Sequence, residues 1–102
     1  MSTYVFKKLL KTAYTLYRKY KGVLRMFIPT LDSRIVGEVI GEFRKKKGIS
    51  QEVLSGLADI GRTHLSAIER GERKPTLETL YRIACAMDAK MSDIVAEIEK
   101  QL

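Results

Sequence analysis

From residue 32 onward the sequence is a run of short apolar patterns of helical period, each closed within a few turns by a glycine, a proline or a capping side chain. This punctuation is the strongest constraint on the fold, because helices so short are stable only when each buries one face against its neighbours. Asp32 or Ser33 can cap a first segment carrying Ile35, Val36, Val39, Ile40 and Phe43, closed by Arg44, Lys45, Lys46, Lys47 and Gly48. That basic run matches the preference of cations for a helix C-terminus. Ser50 can cap a second segment with Val53, Leu54, Leu57 and Ala58. Gly61 opens a third, with Leu65 and Ile68 as its apolar pair and Gly71 at its end. Thr76, after Pro75, can cap a fourth with Leu77, Leu80, Ile83, Ala84 and Met87, and Ser92 starts a fifth with Ile94, Val95 and Ile98. No alternating strand pattern competes, so the expected class is all-α.

The first third of the 102 residues differs in kind. Up to Leu31 it holds Lys7, Lys8, Lys11, Arg18, Lys19, Lys21 and Arg25 and neither Asp nor Glu. The chain has 19 Lys and Arg against 12 Asp and Glu, so removing those seven leaves twelve of each sign beyond it. The formal net charge of +7 therefore belongs to residues 1–31. Six of the eight aromatic residues, Tyr4, Phe6, Tyr14, Tyr17, Tyr20 and Phe27, fall there too. Composition thus draws a boundary near residues 29–33 and predicts two units, 1–31 and 32–102.

At helical spacing Phe6, Leu9, Leu10, Ala13, Leu16, Tyr17, Tyr20 and Leu24 share an arc of roughly 120°, with the cations mostly opposite. The expectation is a basic amphipathic helix from near Thr3, weakening or stopping at Gly22. Residues 22–31 are apolar but hold Arg25 and Pro29, and read as a connector that packs. The stripe has three open uses: packing on the rest of the domain or on a second subunit, adding phosphate contacts to nucleic acid, or attaching residues 3–24 to an anionic membrane surface or a partner protein. Its acid-free character also has the outline of an organelle transit peptide, or of a start codon placed too far upstream. No uncharged apolar run of about 18 residues occurs, so a membrane span is not expected. Lys11 interrupts the early apolar run, which argues against a secretory signal.

One cysteine rules out an internal disulfide framework and a zinc site of paired thiolates, and one histidine adds nothing to a metal case. Cys85, inside an apolar run, reads as a buried small hydrophobe. Gly37 and Gly41, one turn apart, read as a place of close helix packing. No nucleophile with a base, carboxylate pair or cofactor loop is found, so neither catalysis nor a cofactor is expected.

The second and third segments are separated by only Asp59, Ile60 and Gly61, the length of a helix-turn-helix turn. Such a turn needs a residue tolerant of positive φ, and Asp59 can serve. Once Leu65 and Ile68 are given to the core, the third segment has Arg62, Thr63, His64, Ser66 and Ala67 left, with Glu69 its first acid. A helix lying in a major groove must bring donors to base edges and keep carboxylates from phosphates, and this one fits that description.

Residues 49–94 closely resemble the helix-turn-helix domain of the phage-repressor, or Cro/Xre-like, regulators. The residues that carry the resemblance are Ser50, Gln51 and Glu52 opening the second segment, Leu65, Ser66, Ala67, Ile68, Glu69, Arg70 and Gly71 closing the third, and Pro75, Thr76, Leu77, Glu78, Thr79 and Leu80 opening the fourth. It departs from the family at Asp59, where Gly is usual, and at Gly61, where a capping side chain is common. The resemblance implies a five-helix domain preceded here by the basic helix, base reading by Arg62, Thr63, His64, Ser66 and Ala67, and phosphate contacts by Ser50, Gln51, Arg70, Arg73 and Lys74. It implies a structural ion pair between Arg44 and Glu69. The implied function is a cytoplasmic, nucleoid-associated transcriptional regulator, a dimeric repressor reading an inverted repeat in double-stranded DNA, with the dimer seam on the fifth helix or the N-terminal stripe. Phage repressor, restriction-modification controller and antitoxin all stay open, as does a protein-interaction module of another class.

Overall fold

The computed structural model describes residues 3–24 and 28–102, apart from the side chains of Val23 and Leu24. Arg25 and Phe27, counted above among the cations and aromatics, and the Leu24 side chain, counted in the stripe, lie outside the described residues. The chain divides into two compact units, Met1–Thr30 and Leu31–Leu102. All regular structure among the described residues is α-helical: α1 (Thr3–Leu24), α2 (Ser33–Lys46), α3 (Gln51–Ala58), α4 (Arg62–Glu69), α5 (Leu77–Ala86) and α6 (Met91–Gln101).

In the second unit α2 packs on α4 and α6, α3 on α4 and α5, and α5 on α6. Val39 and Ile40 of α2, Leu54 of α3, Leu65 and Ile68 of α4, Ile83 of α5 and Ile94 of α6 are fully buried, so every short helix contributes at least one anchor. The starts of three helices are closed as expected by side-chain oxygens accepting from backbone N–H groups: Asp32 from Arg34 at 2.9 Å, Ser50 from Val53 at 3.1 Å and Thr76 from Thr79 at 3.0 Å. The Arg34 N–H holds the Asp32 carboxyl below the usual carboxylate range. At α6 the expectation fails by one residue: Lys90 is the N-cap without a side-chain cap bond, and Ser92 sits inside the first turn.

The ends of α2, α3, α4 and α5 share one device. Gly48, Asp59, Gly71 and Asp88 adopt φ of 71°, 54°, 78° and 52°, and the residue after each donates back to a last-turn carbonyl. Those bonds run from Ile49 to Arg44 at 3.4 Å, Ile60 to Ser55 at 3.0 Å, Glu72 to Ala67 at 2.9 Å and Ala89 to Ala84 at 2.9 Å. This is the Schellman closure, which satisfies carbonyls otherwise left without partners. Asp59 meets its expected role; Asp88 plays the same part where the sequence offered no glycine.

Several apolar residues assigned to the core stand outside it. Val53 is half exposed, Leu57 is 63% and Leu77 72% exposed, and Cys85 is exposed rather than a buried hydrophobe. Ile94 and Ile98, offered as a dimer seam, are instead buried in the unit's own core, with Val95 half-buried beside them. Ile28 and Leu31, expected in a packing connector, are exposed.

Taken by itself, α1 is helical through Gly22 to Leu24, with its helical backbone interrupted at Tyr20 (φ −121°, ψ 34°) rather than ended at the glycine. Its side chains from Thr3 to Gly22 are all exposed. Lys19 Nζ stands 5.4 Å from the centre of the Tyr20 ring, within range of a cation–π attraction.

Candidate nucleic-acid interface

The position of α4 is set from α2. A Cβ at Gly37 would collide with the carbonyl oxygens of Ile68 and Glu69, and one at Gly41 would lie 3.2 Å from Glu69 Oε1. The two glycines therefore let the backbone of α2 approach the C-terminal turn of α4 directly, as the pair was read to do. One turn further on, Arg44 closes the gap with a two-pronged bond: Nε donates to Glu69 Oε2 at 2.8 Å and Nη2 to Oε1 at 2.9 Å. Its Nη1 donates to the Ile49 carbonyl at 3.0 Å, and Gln51 Nε2 donates to Glu69 Oε1 at 3.2 Å. The two charged side chains are only 12% and 9% exposed. Hydrogen bonding to Glu69 raises the Arg44 guanidinium above its ordinary value. The lone acid of α4 is thereby turned inward and neutralised, which leaves the outward side of the helix without negative charge.

On that outward side Arg62 and Thr63 are exposed and His64 and Ser66 half-buried. Ala67 is buried and leaves the reading face, a correction to its expected contact: its one-carbon side chain does not reach past longer neighbours. Arg62, Thr63, Ser66 and Arg70 line a single surface hollow of about 240 Å³. Arg70 was assigned to a flanking phosphate, yet its Nη1 donates to the Ser66 hydroxyl while Nε and Nη2 donate to Glu72 Oε2 at 3.1 and 2.6 Å. It lies along the reading face, held there by an acid that sequence reasoning did not single out. The signal was its spacing two residues beyond Arg70, across the Gly71 turn. The Arg70 hydrogen bonds lower the Glu72 carboxyl below its usual range.

The phosphate-side residues are distributed around this face. Ser50 Oγ accepts the Val53 N–H, so its own hydroxyl proton remains to donate outward. Gln51 is half-buried with one amide hydrogen committed to Glu69. Arg73 and Lys74 are exposed and form no ion pair among the described residues. No group of His, Cys, Asp and Glu among the described residues is arranged to hold a metal ion. A second surface hollow, of about 600 Å³, lies between α3 and α5 and is bordered by Leu57, Tyr81, Arg82 and Cys85. A hydrogen bond with Cys85 raises the Tyr81 phenol above its ordinary value.

A helix-turn-helix family model matches residues 40–94, which include the whole of α3, α4 and α5. The chain is 31% identical over 67 residues to y4dJ of Sinorhizobium fredii, an uncharacterized HTH-type transcriptional regulator, covering 66% of this chain and 87% of that protein. It is 33% identical over 66 residues to the control protein C.MunI of a Mycoplasma species, covering 64% and 89%. Among solved structures it is similar to the restriction-modification controller protein C.AhdI of Aeromonas hydrophila, with a TM-score of 0.61 and 31% identity over 64% of this chain and 98% of that one. With the geometry of α3, the Asp59 turn and α4, these likenesses establish that the chain belongs to the Cro/cI-like helix-turn-helix family of DNA-binding transcriptional regulators.

Proposed function

We propose that the protein is a repressor that binds duplex DNA as a dimer and reads an inverted repeat with α4. The observation that carries this reading is the acid-free outward face of α4, anchored from beneath by Leu65 and Ile68 and from its C-terminal end by the Arg44–Glu69 pair. Arg62 takes guanine O6 and N7 in two-pronged contact, and Thr63 and Ser66 supply hydroxyls to neighbouring base edges. Arg70 joins them from the same hollow, and His64 contributes from the half-buried side. Ser50, Gln51, Arg73 and Lys74 hold the phosphates on either side, which fixes register without reading sequence. Arg44 and Glu69 stay within the protein.

Two copies are needed because a single module reads few base pairs, and paired helices must stand one DNA turn apart. With Ile94 and Ile98 spent on the core, the exposed apolar side chains that the second unit offers to a second copy include Val53, Leu57, Leu77 and Tyr81.

Selection of bound sequences from a random DNA pool at one fixed salt concentration tests the reading. The expected product is an inverted repeat whose half-sites lie about 34–36 Å apart, centre to centre. Arg62→Ala then weakens the selected site by about 1–3 kcal/mol and relaxes one position, with little change on random DNA. Failure to enrich any sequence, or an equal loss on random DNA, rejects it.

A further inference from the structure

The DNA reading uses nothing of α1, which carries two exposed faces of different character. On one side Phe6, Leu9, Leu10, Leu16, Tyr17 and Tyr20 are each 44–55% exposed. Mostly opposite them stand Lys7, Lys8, Lys11, Arg18 and Lys19, with Lys21 at the edge of the stripe, on a helix with no acid, and none of the six forms an ion pair among the described residues. We propose that α1 lies along the surface of a bilayer containing anionic phospholipid, its stripe in the boundary between headgroups and acyl chains and its cations against the headgroups.

The occupant of α1 must be complementary to both faces at once. Duplex DNA would meet the cations but leave the apolar stripe in water. A second α1 would cover the stripe but leave the cations of both copies in water without a carboxylate to offset them. An anionic bilayer surface satisfies both, since apolar burial and attraction to charged headgroups act together on a basic amphipathic helix. Tyrosines are suited to that depth because each has an apolar ring and a polar tip, and the stripe carries Tyr17 and Tyr20. No helix among the described residues is long and apolar enough to cross a membrane, so the arrangement is a helix lying in the surface plane. This inference is independent of whether α4 reads DNA.

The test uses the full chain and two vesicle populations, one of phosphatidylcholine alone and one with about 30% phosphatidylglycerol. The protein contains no tryptophan, so Leu10→Trp supplies a single reporter on the stripe. At low salt the chain is expected to float with the anionic vesicles about ten-fold more than with the neutral ones, with a blue shift of the reporter. Leu9→Ser with Leu16→Ser, and separately Lys8→Gln with Lys11→Gln and Arg18→Gln, should each lower that binding about ten-fold. An unchanged urea-unfolding transition of the full chain in both variants shows that the fold of the second unit is kept. Equal binding to the two vesicle types, or binding indifferent to the stripe variant, overturns the proposal. So does a stripe-dependent rise in molecular mass without vesicles, which identifies a second copy as the occupant. A loss confined to the salt dependence of DNA binding in the cation variant assigns α1 to nucleic acid and also overturns it.

Discussion

α1 and the five helices of the second unit are written in the same amphipathic code, yet Leu10 of α1 is half exposed while Leu54 of α3 is wholly buried. Period alone therefore specifies a helix and the side that wants covering, not whether a cover exists. The second difference is in charge. The second unit balances twelve cations with twelve acids and uses one of those acids, Glu69, to fix α4 against α2. α1 has no acid with which to make any such bond. The unit that holds itself together is the one whose charges balance within it; the other keeps both its faces available.

The sharpest way to break this contrast is to remove a cation from each region. Arg44→Ala leaves the Glu69 carboxylate, 9% exposed, with only the Gln51 amide, and should destabilise the second unit by about 3–5 kcal/mol. Arg18→Ala, on a solvated face, should stay within about 0.5 kcal/mol. Urea unfolding followed by circular dichroism measures both. A cost for Arg44→Ala below about 1 kcal/mol would put the pair on a par with ordinary surface ion pairs and erase the distinction.

The same leucine truncation applied to both regions isolates burial from charge. Leu54→Ala empties a site at the centre of the core and should cost about 2–5 kcal/mol. Leu10→Ala should change stability by no more than about 0.5 kcal/mol, because its side chain is already half in water. A loss at Leu10 comparable to that at Leu54 would mean that the stripe of α1 is covered in solution by another part of the protein or by a second copy.

Much of the second unit was legible because its signals are local. Asp32, Ser50 and Thr76 announce helix starts by their own hydrogen-bonding chemistry, and Gly37 with Gly41 announces a close approach, since nothing larger fits at Gly37 and a Cβ at Gly41 would crowd the Glu69 side chain. The Arg44–Glu69 pair was legible only through family resemblance, since nothing in a spacing of 25 residues says that two side chains meet. What escaped was burial at the margins of short helices. Leu57, Leu77 and Cys85 lie on apolar runs but at positions where an eight- or ten-residue helix has no neighbour to cover them. Ala67 fails in the opposite direction, being shielded where an outward contact was expected. Arg70 escaped because its direction is set by Glu72 across a turn, a contact that no helical period describes.

The smallest expected effect concerns the helix ends that define the second unit. Gly71 ends α4 at φ 78°, where a Cβ would press to 2.8 Å from the Arg34 Cα, so glycine is required there by space as well as by conformation. Asp59 ends α3 in the same left-handed region with φ 54° and ψ 48°, a conformation unfavourable for any side chain with a Cβ, though least so for Asp and Asn. Asp59→Gly removes that penalty but returns conformational freedom to the unfolded chain, so the two terms oppose each other. The steric term is the larger, and a net gain of about 0.5–1 kcal/mol is expected, roughly 2–8 °C in Tm for a unit of this size. α1 cannot be stabilised by this route, because its glycine sits inside the helix and its backbone interruption falls at Tyr20. A fall in Tm on Asp59→Gly would show that the carboxylate holds the turn between α3 and α4 by a contact stronger than the strain of the left-handed backbone, and that the reading helix depends on it.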